Sequence, residues 1–131
     1  MNKLEATVSK IDSLENLTIV QFDFLGITLS MMSLGLSNIK VGTKVILNIN
    51  ASHIAIAKDL KGEISLSNKL ECTIEKLDKG ELLSSLTLKI KDIKITSIIT
   101  TNSVNRMNLS QNDKVTALIK ASELSIQKVI T

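Results

Sequence analysis

An internal repeat sets the strongest constraint on what this chain can become. NKLEATVSKID, residues 2–12, aligns with NKLECTIEKLD, residues 68–78, at an offset of 66, and most differences are apolar exchanges such as Val8 for Ile74 and Ile11 for Leu77. Farther along, KVILNINASHIAI, residues 44–56, aligns with KVTALIKASELSI, residues 114–126, at an offset of 70. The second copy therefore carries 70 − 66 = 4 additional residues, placed most simply around residues 103–108. A repeat is one structural unit used more than once. The 131 residues accordingly divide into a first copy, residues 1–61, and a second, residues 62–131, joined near residues 58–62. Units this small bury little core alone, so pairing of the copies, and of chains, is expected.

Each copy reads as strands. Leu86, Leu88 and Ile90 alternate with Thr87 and Lys89, Ile93 and Ile95 with Lys94 and Thr96, and Val115 and Ala117 flank Thr116. Period two is the signature of a strand with one buried face. Turn chemistry separates the runs at Asp78, Lys79 and Gly80, at Gln111, Asn112 and Asp113, and in the first copy at Val41, Gly42 and Thr43. One short helical turn is expected over residues 103–109, with Ser103 as its N-cap. Five short strands and a helical turn in so few residues leave little cover for unpaired edges. That predicts an all-β chain of two tandem OB-like small β-barrels, each with one short helical turn.

Composition removes most chemistry. With a single cysteine, Cys72, and a single histidine, His53, no intrachain Cys/His site for a free metal cation and no disulfide can form. Two phenylalanines and no tyrosine or tryptophan leave no stacking platform for nucleic acid, and Arg106 is the only arginine for base readout. Sixteen basic against thirteen acidic side chains, spread along the chain, form no polybasic patch. The opening residues lack the apolar run of an export signal. The one long uncharged stretch, between Asp23 and Lys40, is too short and too polar to span a membrane. A cytoplasmic protein without membrane insertion is expected, and one unpaired thiol fits a reducing compartment. Cys72 aligns with Ala6, so it reads as a small buried side chain, and Met31 and Met32 read as core or interface. His53 aligns with Glu123, which marks an exposed, tolerant position.

Four stretches stand in a telling order and spacing: the opening strands NKLEATV and NKLECTI, then ITSIITTNSV at residues 95–104, LSQNDKV at residues 109–115, and ALIKASEL at residues 117–124. Together they resemble the Mop/TOBE domain family of molbindins and molybdate-responsive proteins. Two tandem copies, with neither a phosphate-binding GxxxxGK[ST] loop nor a helix-turn-helix candidate, resemble a stand-alone di-domain molbindin. The resemblance implies binding of molybdate or tungstate between domains, by hydroxyls, backbone amides and a lysine. A tetrahedral dianion offers only acceptors, so donors and positive charge without a nearby carboxylate are what it requires.

Carried over residue by residue, the resemblance points to Thr100 and Ser103 as a hydroxyl pair, to Lys120 with Ala121 and Ser122 as a lysine loop, and to Ser65 and Asn68 in the lead-in to the second copy. Ser67 stands at the arginine position of that lead-in. In the first copy Met32 is aligned with Thr100, a residue near Gly35 with Ser103, and Asn50 with Lys120, while Ala51 and Ser52 are kept. Fewer anion sites than in a symmetric pair are therefore expected. The expected function is storage or homeostasis of molybdenum by a non-enzymatic oxyanion-binding protein without organic cofactor. It would work as a homo-oligomer, a trimer of chains ahead of a dimer. The rival is an accessory or sensor subunit docking on a transporter or regulator.

Overall fold

Alternation of apolar and polar residues becomes strand throughout the structure, a computed structural model that describes residues 2–36 and 38–130. The first copy forms β1 (Asn2–Leu14), β2 (Leu17–Phe24), β3 (Ile27–Leu34), β4 (Lys44–Ile49) and β5 (Ile54–Ala57). The second forms β6 (Asn68–Lys79), β7 (Leu83–Ile90), β8 (Ile93–Thr100), β9 (Lys114–Ile119) and β10 (Ser125–Ile130). A 3₁₀ turn follows β4 at Ala51–His53 and another follows β9 at Ala121–Glu123. The helix α1, Thr101–Arg106, lies between β8 and β9. It starts two residues before the expected helical turn and accounts for the additional length of the second copy. Nine residues separate β3 from β4, and thirteen separate β8 from β9.

The period-two pattern decides which face is buried. Leu4, Ala6 and Val8 of β1 point inward while Lys3 and Glu5 face solvent, and Leu70, Cys72 and Ile74 of β6 repeat the arrangement. Both long strands carry an irregularity at the same repeat position, between Val8 and Lys10 and between Ile74 and Lys76. The extra residue bends each strand so that it curls and pairs with a different neighbour on either side. Where β2 turns tightly into β3, Leu25 and Gly26 both take positive φ, 53° and 83°, as a two-residue hairpin turn requires.

The sheets do not follow the copies. One sheet has the order β10-β4-β1-β2-β3 and the other β5-β9-β6-β7-β8, so each copy gives its last strand to the other. Ser125 pairs with Asn48 at one exchange, and Ile54 with Ile119 at the other. Two asparagines at equivalent repeat positions tie the sheets together. Asn2 donates from Nδ2 to the Thr96 carbonyl at 2.8 Å, and its Oδ1 accepts from the Thr96 amide at 2.7 Å. Asn68 does the same to Ser30, donating to its carbonyl at 2.8 Å and accepting from its amide at 2.6 Å. Buried side chains of both copies form one hydrophobic cluster, from Phe22, Phe24 and Leu29 to Leu86, Leu88 and Ile95.

Candidate functional site

The end of β8 and the start of α1 are fixed from two sides. Thr101 donates its amide to the Leu82 carbonyl and its hydroxyl to the Gly80 carbonyl, anchoring the helix on the β6–β7 hairpin. At the other end Lys58, just past β5, donates to the carbonyls of Met107 and Asn108 and pairs with Asp113 at 3.4 Å. A cation is favourable there because the last carbonyls of a helix lack amide partners. The Asp113 carboxyl is held below its ordinary range, chiefly by the hydrogen bond it accepts from the Ser110 amide, against desolvation, with Lys58 adding a smaller downward pull.

This frame sets out the hydroxyl pair. Thr100, in place of the expected Ser103, is the N-cap: its Oγ1 accepts from the Ser103 amide at 3.1 Å. Its hydroxyl donates to Ser103 Oγ at 2.9 Å, which leaves the Ser103 hydroxyl proton free to turn outward. Opposite them sits the 3₁₀ turn of the first copy. Asn50 caps it by accepting from both the amide and the hydroxyl of Ser52. The fully buried Ser97 of β8 donates to the Ile54 carbonyl at 2.7 Å and holds that turn against β8. Thr100, Ser103, Ser52 and His53 thus line one cavity of about 460 Å³, with apolar walls from Leu83, Ile98 and Ile99.

Lys120, Ala121 and Ser122 are elsewhere. They belong to the second 3₁₀ turn, which packs against β3 of the first copy. Lys120 occupies the cap position that Asn50 fills in the other copy, yet its side chain caps nothing. The two turns meet between the copies, where His53 Nδ1 lies 3.0 Å from Glu123 Oε2. A smaller cavity there, about 280 Å³, is lined by Asn50, His53, Ser122 and Glu123 among others. Ser65 lies apart from both, in an open groove shared with Gly62, Glu63 and Lys69. One chain therefore brings Thr100 and Ser103 together with the first-copy turn, and not with Lys120 or Ser65.

Asn68 is completely buried, and both ends of its side-chain amide are spent on Ser30. Strand register pairs Leu17 with Leu34 and Leu83 with Thr100, so Leu34, and not Met32, holds the place of Thr100 in the first copy. The counterpart of Ser103 at an offset of 66 is Ser37, which lies outside the described residues. Ser97 has no place among the sequence expectations, and Ser52 appears there only as a residue kept from the repeat. An inward-facing serine among isoleucines, at Ile95-Thr96-Ser97-Ile98-Ile99, was the available signal.

Among the described residues no group of three or more His, Cys, Asp or Glu is arranged to hold a metal ion, and no helix is long and apolar enough to cross a membrane. Burial pushes the Cys72 thiol up to about 11, with a smaller upward push from Glu71, against a hydrogen bond to backbone that lowers it.

Fold and site together define a tandem OB-like β-barrel chain with cavities at the seam between its copies. The sequence pattern of the TOBE domain matches residues 64–126. A solved molybdate-binding protein from Sporomusa ovata is 37% identical and aligns over 51% of this chain and 100% of its own length, with a TM-score of 0.50. The cytoplasmic molybdate-binding protein ModG, solved with molybdate bound, superposes with a TM-score of 0.91 over 95% of this chain and 94% of its own, at 23% identity. A comparison with curated protein sequences gives no match. The chain belongs to the Mop/TOBE domain family.

Proposed function

We propose that this protein binds molybdate or tungstate as the intact oxyanion and serves, without catalysis, in cytoplasmic storage or homeostasis of molybdenum. The observation that carries the reading is the seam cavity in which Thr100 and Ser103 face Ser52 and His53 with no carboxylate in its lining. Hydroxyl donors, a neutral or cationic ring and apolar walls suit a dianion that has no proton to give. Hydrogenphosphate keeps a proton and would want an acceptor, while sulfate has the same charge in a smaller radius. Likeness to the 37% identical molybdate-binding protein over its full length supports the choice of ligand.

Lys120, Ala121 and Ser122 form a second donor set whose lysine is left uncommitted by capping. Neither seam cavity described in one chain joins this set to the hydroxyl pair, and association of chains would complete it. A homo-oligomer meets that need, and the resemblance to stand-alone di-domain molbindins favours a trimer ahead of a dimer. Calorimetric titration of molybdate, tungstate, sulfate and phosphate, with mass from light scattering, tests the reading. Binding of the two heavy oxyanions by an oligomer is expected, and absence of heat with both would refute it. Lys120→Ala should weaken binding by about 1.5–3 kcal/mol, the worth of a charge-assisted hydrogen bond.

A further inference from the structure

We infer that His53 is itself an oxyanion-binding residue: the first copy, having lost its lysine, supplies an imidazolium to the cavity of Thr100 and Ser103. This rests on the oxyanion reading above and names the group that gives that cavity its charge. Among the residues that line the cavity, His53 alone can become charged. At the position where the second copy has Lys120, the first has Asn50, and its side chain is turned back onto Ser52 to cap its own turn. Within one chain, a dianion among these hydroxyls and apolar walls would otherwise be without a counter-charge.

The turn that carries His53 is also held against β8. Ser97, buried in β8, grips the carbonyl of Ile54, the next residue along the chain. At the equivalent position of the first copy stands Met31, which has no hydroxyl to grip the second turn, so this anchoring exists on one side only. Glu123 occupies Nδ1 of His53 and leaves Nε2 as the second donor of a protonated ring. The charged and polar groups around His53 are few. Glu123, Ser122, Asn48 and Asn50 lie on the side of the second turn, and the β7, β8 and α1 residues on the cavity side carry no charge. When His53 is protonated it neutralises Glu123 and faces the anion with a donor. When neutral, it leaves the Glu123 carboxylate uncompensated beside an approaching dianion. The protonated ring favours the anion over the neutral one, so anion affinity falls as pH rises from about 6 to about 8, and binding takes up protons.

The test is calorimetric titration of molybdate into the full chain from about pH 6 to about pH 8, for the parent protein, His53→Gln and His53→Lys. The parent should lose affinity by about fivefold or more across the interval, a usual size for coupling between two sites. It should also show proton uptake as a dependence of the heat on buffer ionisation. His53→Gln should bind weakly with a flat profile, and His53→Lys should restore binding with a flat profile, which a merely structural role would not produce. A flat parent profile, or a parent-like slope in His53→Gln, would overturn the assignment while molybdate binding itself stands. No molybdate binding by the parent at any pH would overturn the oxyanion reading and this inference with it.

Discussion

Replacing Asn68 by alanine separates two roles for a residue that sequence alone places near the anion. The Asn68 side chain is fully buried and makes two short hydrogen bonds to the backbone of Ser30, at 2.6 and 2.8 Å. Those two groups of Ser30 point away from β2, so Asn68 substitutes for a missing strand at the edge of the first sheet. Alanine removes two bonds worth roughly 1 kcal/mol each and strands a buried amide and carbonyl, which adds a partial desolvation penalty, for a total of about 3–4 kcal/mol. For a chain of this size that is a fall in melting temperature of about 10 °C. Thermal unfolding followed by far-ultraviolet circular dichroism measures it. Aspartate gives an independent check. Ionised, it accepts from the Ser30 amide but opposes the Ser30 carbonyl; protonated, it regains the missing donor. Asn68→Asp should therefore recover part of its lost stability, relative to Asn68→Ala, as pH falls through the carboxylate range. If Asn68→Ala melts within about 2 °C of the parent and instead loses molybdate binding, the reasoning is refuted and Asn68 belongs to the anion site.

Other expectations follow from the same contacts. Thr100→Ala should cost about 1 kcal/mol through loss of the α1 cap and should weaken molybdate binding, the two effects being read by melting and by calorimetry. Lys58→Ala should cost about 1 kcal/mol, since the pair with Asp113 is partly exposed and much of the benefit lies in the helix carbonyls; amide exchange at Val104 to Leu109 should quicken. Because the Asp113 carboxyl is held low in the folded state, its contribution is present above the ordinary carboxylate range and is lost as pH falls through it and below, so the acid limb of a stability–pH curve should soften in Lys58→Ala. The Cys72 thiol, raised by burial to about 11, should resist thiol reagents at neutral pH until denaturant unfolds the chain. Its raised value also means that stability is full below the unfolded thiol range and declines as pH rises toward 11.

The strands and the repeat were legible because apolar alternation is a local property, and a doubled pattern doubles the evidence. Cys72, aligned with Ala6, is buried at 6% exposure, and the four additional residues lie between β8 and β9 in company with α1. Met31 is core as read, whereas Met32 is 40% exposed on the outer face of the strand. The exchange of β5 and β10 left no mark in the sequence. A last strand that pairs at home and one that pairs across the seam need the same alternation, so the pattern is silent on which sheet receives it. The slip from Leu34 to Met32 arose where the alignment offset changes from 66 to 70 and no local feature fixes the register; only the ladder partners Leu17 and Leu83 do. His53 shows a subtler limit. Alignment with Glu123 made the position look merely tolerant, yet equivalent positions near the axis between two copies face each other. His53 and Glu123 are in contact there, a pairing that alignment alone does not show.

Strand exchange also explains how the first copy, without counterparts of Thr100 and Lys120, still walls the cavity beside the second. Each sheet ends in a strand of the other copy, and the wall opposite Thr100 and Ser103 is the first copy's own turn, fixed by Ser97 to Ile54. The first copy's side chains at Leu34 and Asn50 give up a hydroxyl and a lysine without disturbing strand pairing, because both stand at strand ends and project from the ladder's edge. Ala51 and Ser52 are different, since the turn they form supplies that wall whether or not a lysine precedes it. Divergence of the copies therefore separates the two jobs of one ancestral pattern. The second copy keeps the hydroxyl pair and the lysine, and the first keeps the turn and places His53 where it meets both Glu123 and the hydroxyl cavity. On this view the asymmetry concentrates charge control at the seam, at His53, which among the described residues alone borders both cavities.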